Sequence, residues 1–86
     1  MRIDKYLKVA RVLKKRTVGK ELALNDRLLL NGRVAKASSN VKPGDIISIE
    51  FGHRTFKIRV LEVKDNASKQ EALSMYEVIE EKESII

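Results

Sequence analysis

RIDKYLKVARVLKKRTVGKELALNDR, residues 2–27, decides the fold, because an apolar stripe and a basic surface are interleaved in it at helical spacing. Ile3, Tyr6, Leu7, Ala10 and Leu13 recur at i, i+3, i+4 and i+7 and predict an amphipathic helix over residues 2–12. Asp4, Lys8 and Arg11 share the opposite side, where Asp4 suits the positive start of the helix. The basic stretch Leu13-Lys14-Lys15-Arg16 predicts fraying. Thr17 then reads as the N-cap of a second helix over 18–25, with Val18, Leu22 and Ala23 towards the core. Lys20 falls in the first turn, against the helix dipole, a placement that fits a bound phosphate better than it fits helix stability.

Beyond Asp26 the pattern changes. Leu28-Leu29-Leu30 and Arg33-Val34-Ala35 flank Asn31-Gly32, the pair that most favours a type I′ hairpin. Lys42-Pro43-Gly44-Asp45 reads as a type II turn, with proline at its second position and glycine at its third. A strand begins at Ile46 and runs to Phe51, Gly52-His53 breaks it, and a second long strand runs from Thr55 to Val63. Asp65-Asn66 turns the chain, a helical turn or two follows from Ser68 to Leu73, and Met75–Glu80 reads as a last strand. The division expected is 1–64 for the main domain and 65–86 for a short helix and strand with an acidic tail.

Charge is segregated along this order. Residues 2–27 hold nine Lys/Arg against three acids, whereas residues 65–86 hold six acids and two lysines, within a net charge of +6 for 86 residues. A basic front with an acidic rear predicts one face shaped for a polyanion. A composition 43% hydrophobic suffices for one small core, and aromatics are few (Tyr6, Phe51, Phe56, Tyr76), so Leu, Ile and Val should dominate it. The absence of cysteine excludes a disulfide framework and thiolate metal sites. No apolar run has the length of a membrane span, and Lys5, Lys8 and Arg11 interrupt any signal-peptide core. A cytoplasmic monomer with no membrane partner is expected.

Catalysis finds few members. His53, the single histidine, sits in a turn and reads as an exposed structural residue, so neither a triad nor a zinc site can be assembled around it. Gly19-Lys20 lacks the upstream glycine and the following Ser/Thr of a phosphate loop. Glu80, Glu81 and Glu83 do not match calcium-loop spacing. No metal, no cofactor and no enzyme activity are expected. The basic cluster points to nucleic acid, since Lys and Arg neutralise phosphates and release counterions. About four to six such contacts give a slope of log K against log salt of roughly −3 to −5. Aromatic RNP strands and a GxxG loop are absent, so phosphate and RNA shape, rather than stacked bases, should carry the grip.

Arg2-Ile3-Asp4-Lys5-Tyr6-Leu7, Arg11, Lys14-Lys15-Arg16-Thr17, Asn31-Gly32, Lys36-Ala37-Ser38 and Val41-Lys42-Pro43-Gly44-Asp45-Ile46 stand in an order that resembles the S4-type RNA-binding domain, over about residues 1–51. The resemblance implies an α+β class with the αL RNA-binding motif: two N-terminal helices packed on a small, mainly antiparallel, bent sheet. It implies RNA contacts at Arg2, Arg11, Lys14, Arg16, Lys20 and Lys36, with Asn31 and Ser38 on the hairpin and its exit. Asp4 matches the family's acidic position, where its role would be to orient a neighbouring arginine. Asp26 stands where the family often closes the second helix with glycine, and Lys20 where it often has a small or uncharged residue.

The ending Glu71–Ile79 looks like that of the family's short stand-alone branch in ribosome-associated quality control, rather than the longer heat-shock branch with its basic extension. Membership there implies an adaptor on obstructed large ribosomal subunits carrying peptidyl-tRNA. It would touch rRNA and peptidyl-site tRNA beside a quality-control protein factor and support C-terminal alanine tailing. The alternative is a general structured-RNA-binding or ribosome-assembly protein with no part in stalled-chain rescue.

Overall fold

The structure is a computed structural model and describes residues 1–83. Residues 84–86, the end of the expected C-terminal segment, lie outside the described residues. Helices α1 (Ile3–Val9) and α2 (Arg16–Leu24) precede strands β1 (Leu28–Leu30), β2 (Arg33–Val34), β3 (Ile46–Phe51) and β4 (Arg54–Val60). A short helix, α3 (Lys69–Leu73), and a last strand, β5 (Tyr76–Glu83), complete the order. The strands form one antiparallel sheet in the order β2-β1-β3-β4-β5. Helices on a mainly antiparallel sheet are the α+β class that the sequence predicts.

The predicted stripe is the core. Ile3, Tyr6, Leu7, Ala10 and Leu13 are buried against Leu28, Ile47, Ile49, Ile58, Val60 and Met75. Removing each large aliphatic side chain from water contributes about 1.5–3 kcal/mol. Tyr6 brings a hydroxyl inside, which donates to the Met75 carbonyl at 2.8 Å and so joins the first helix to the far end of the chain. Burial, and then the neighbouring Tyr76, push that phenol well above its ordinary value.

Helix α1 ends short of its pattern, whereas α2 ends where its pattern predicts but begins two residues early. Helix α1 stops at Val9 instead of residue 12. Arg11 takes φ 61°, its N–H donates to the Lys8 carbonyl (3.0 Å), and the Val12 N–H reaches back to Leu7 (3.0 Å). That pair of bonds is a Schellman closure with arginine in the left-handed position where glycine is usual. Helix α2 closes in the same way: Asp26 has φ 56°, its N–H donates to Ala23 (3.2 Å), and Arg27 N–H donates to Leu22 (2.8 Å). The expected N-cap at Thr17 is not used. The cap position is Lys15, without a side-chain cap, because Arg16 is drawn into the first turn by its ion pair with Asp4.

The Asn31-Gly32 hairpin has φ of 52° and 83° at its two turn residues, as a type I′ turn requires, and Gly44 at φ 95° completes the 42–45 turn. Strand β4 ends at Val60, short of the predicted Val63, because the Leu61 and Glu62 N–H groups both turn to the Met75 carbonyl. Ser68 and Glu71 form a reciprocal capping box at the start of α3. In β5 the register against β4 steps from Lys57↔Glu80 to Ile58↔Val78, which leaves Ile79 bulged.

Candidate nucleic-acid interface

Asp4 organises the basic face. The sequence places it on the solvent side of the first helix, but its side chain is 0% exposed. Helix α2 crosses α1 directly above it at Gly19, where an added Cβ would stand 3.4 Å from both the Asp4 Cα and Cβ. A buried carboxylate is tolerable only when paired and hydrogen-bonded, and Asp4 is both. Arg2 donates to it twice, Nε to Oδ1 and Nη2 to Oδ2, each at 3.2 Å. The Lys5 N–H donates to Oδ1 at 2.8 Å. Arg16 Nε, itself shielded from water, lies 3.1 Å from Oδ2 but off the line of a hydrogen bond, so that contact is ionic. Burial alone would raise the carboxyl's pKa. The Arg16 and Arg2 guanidiniums and the Lys5 amide outweigh it and hold the pKa below the ordinary carboxylate value.

Arg2 and Arg16 remain 45% and 39% exposed, so each anchors one edge of its guanidinium to Asp4 and offers the rest to solvent. The charges of the three groups sum to one uncompensated positive charge. The 36–40 loop is pinned beside them by backbone alone: Arg2 bridges Asn40, Ile3 N–H donates to Ser39 (2.7 Å) and Asp4 N–H donates to Ala37 (3.3 Å). Lys36 and Ser38 sit exposed on this loop, and Lys20 lies one turn beyond Arg16 on the exposed side of α2. Arg2, Asp4, Arg16, Lys36 and Ser38 are thus one neighbourhood.

Arg11 and Lys14 are elsewhere, beside Lys8 in a cleft that faces residues 65–67. Asn31 is at the hairpin tip with its amide engaged at both ends. Nδ2 donates to Asp45 Oδ1 at 3.1 Å and Oδ1 accepts from Ile46 N–H at 2.9 Å. Asp45, buried at 4% exposure, also accepts from Lys42 through its N–H (2.9 Å) and Nζ (3.0 Å). Burial would raise this carboxyl too, but Asn31 and Lys42 together lower it.

The acidic rear is matched within the sheet. Arg54 pairs with Glu81 (2.9 Å), Lys57 with Glu80 (3.6 Å) and Arg59 with Glu77. Among the described residues no ion pair involves Lys8, Arg11, Lys14, Lys15, Lys20, Arg27, Arg33 or Lys36. Lys69 and Lys82 are unpaired among the described residues as well, but the other eight, and with them the net positive charge, lie in the first forty residues, on the helices, their connections and the hairpin. Lys8 joins Arg11 and Lys14 although family resemblance does not single it out; its place three residues before Arg11 on the same helical side is the signal for it. Arg27 and Arg33 carry no comparable signal. Among the described residues no cluster of three His, Cys, Asp or Glu could hold a metal, and no helix is long and apolar enough to cross a membrane.

Comparison with known proteins agrees with this geometry. The S4 domain family model matches residues 1–47. The chain is 48% identical over 81 residues to the RQC P-site tRNA stabilizing factor of Bacillus subtilis, covering 94% of each chain. It is 48% identical to the protein of that name from Streptococcus pneumoniae, over 94% of this chain and 92% of the relative. Among solved structures, the trimeric Heat Shock Protein 15 of Vibrio cholerae superposes with a TM-score of 0.83 at 29% identity, over 92% of this chain and 81% of that one. The solution structure of the hypothetical protein HP1423 gives 0.80 at 27% identity, over 95% and 100%. With its helix pair, its basic face and this likeness along nearly its whole length, the chain belongs to the S4-domain family, in the branch whose members carry the name RQC P-site tRNA stabilizing factor.

Proposed function

We propose that the chain is a non-catalytic RNA-binding adaptor that steadies peptidyl-site tRNA on an obstructed large ribosomal subunit still carrying peptidyl-tRNA. In this reading it contacts rRNA and tRNA together, acts as a cytoplasmic monomer without a cofactor, and works beside a quality-control protein factor in C-terminal alanine tailing. Peptide-bond chemistry stays with the ribosome. The observation that carries the reading is the Arg2–Asp4–Arg16 arrangement, set among unpaired cations in a chain nearly half identical to tRNA-stabilising relatives. Two guanidiniums fixed by one buried carboxylate lose less side-chain freedom when they meet phosphate than two free ones would.

Arg2, Arg11, Lys14, Arg16, Lys20 and Lys36 are the proposed contacts, with the Ser38 hydroxyl and any Asn31 donor left over from the hairpin beside them. Asp4 acts through its arginines. A small basic body between two RNAs offsets their mutual repulsion, which is the physical content of stabilising a tRNA on a subunit. A tagged chain recovered from cells should bring down free large subunits that carry nascent peptidyl-tRNA. Recovery of small subunits or free structured RNA instead would favour a general RNA-binding or assembly role.

A further inference from the structure

Lys8, Arg11 and Lys14 line a cleft of about 380 Å³ whose far wall is Asp65–Ala67. Three features set this cleft apart from ordinary solvated charge. First, none of the three cations has a carboxylate partner among the described residues. Second, Arg11 reaches the cleft from a left-handed backbone position (φ 61°), in a closure that glycine would make with less strain, and its Nη2 leans to the Ala67 carbonyl at 3.5 Å. Third, the far wall is tied to the first helix by Lys5 Nζ to Asp65 Oδ1 at 3.2 Å, so the cleft is bounded on both sides. That wall lies outside residues 1–47, so the shared S4 module alone does not build it.

We propose that Lys8 and the 65–67 wall extend the RNA surface at Arg11 and Lys14 into a bounded phosphate-holding cleft, in which Lys8 adds a contact and Asp65 tempers the affinity. The inference rests on the reading that the chain binds RNA. Three cations on one concave surface favour a sugar–phosphate backbone, because each neutralised phosphate releases counterions. Asp65, 85% exposed on the rim, repels the same backbone and occupies Lys5, so its carboxylate works against binding. The segment after the S4 module therefore sets how tightly the RNA is held.

Fluorescence anisotropy with labelled tRNA over a range of salt concentrations tests this on the full chain. Lys8→Ala should weaken binding about three- to tenfold near 0.1 M salt and reduce the salt slope by about one. Asp65→Asn should tighten it about two- to fivefold, a gain that damage to the fold cannot produce. The same charge change at Glu77, paired with Arg59 on the solvent face of the sheet, should leave binding within about twofold of the parent. Arg11→Gly should weaken binding while the thermal midpoint is kept or raised, since glycine takes this φ freely. If Lys8→Ala and Asp65→Asn both bind as the parent does while Arg2→Ala and Arg16→Ala do not, Lys8 and the 65–67 wall take no part and the RNA-binding reading stands. A parent chain that binds no tRNA overturns both.

Discussion

Replacing Asp4 by alanine would leave the facing edges of two guanidiniums without a partner. Because Arg2 and Arg16 are half exposed they can rehydrate, so the cost should fall below that of a fully buried pair, at about 1–3 kcal/mol in a urea melt. RNA affinity should fall in the same variant, although Asp4 is an anion, because its arginines lose their orientation. An Asp4→Ala variant that bound tRNA more tightly would show the carboxylate to be a mere electrostatic penalty. Acid tests the same residue together with Asp45. Both have folded pKa values below the ordinary 3.8, so the unfolded chain takes up protons first. Their contribution to stability is complete above that ordinary value and is lost as pH falls through the lower folded values. Acid unfolding monitored by circular dichroism should be shifted in Asp45→Asn relative to the parent.

Helix α1 shows what was legible at the scale of an element. The stripe Ile3, Tyr6, Leu7, Ala10, Leu13 is periodic, and period survives into structure. Its end was not legible, because Arg11 enters a left-handed closure without the glycine that normally announces one. Nor was the burial of Asp4, which depends on Arg16 twelve positions away and on the crossing of α2 at Gly19. That crossing carries its own prediction. Gly19→Val puts branched bulk where even a methyl would meet Asp4 at 3.4 Å, so the helices must part. The expected loss is about 1–3 kcal/mol, with weakened tRNA binding, read from the denaturation midpoint and anisotropy on the same sample. By contrast Tyr6→Phe should cost only about 0.5–1.5 kcal/mol, since the Met75 carbonyl keeps Leu61 and Glu62 as donors.

Over the whole molecule the segregation of charge was readable from composition, and its internal logic was not. Three of the four acids of β5 pair with cations of the neighbouring strand β4, so the rear is close to neutral and the basic front stands out. Lys57→Ala or Arg59→Ala should each change stability by about 1 kcal/mol or less and leave tRNA affinity unchanged, since these pairs are solvent-exposed. The site was legible in part for a related reason. The positions Arg2, Asp4, Arg16, Lys36 and Ser38 could be named from their order, but their assembly depends on backbone bonds such as Ile3 N–H to Ser39, which no side-chain pattern encodes.

Tyr6 and its acceptor Met75 are 69 residues apart. During translation the first helix therefore waits for residue 75 before its core is closed, and a copy truncated upstream of that methionine would emerge with an open hydrophobic seam. Such a fragment should be cut by proteases faster than the full chain.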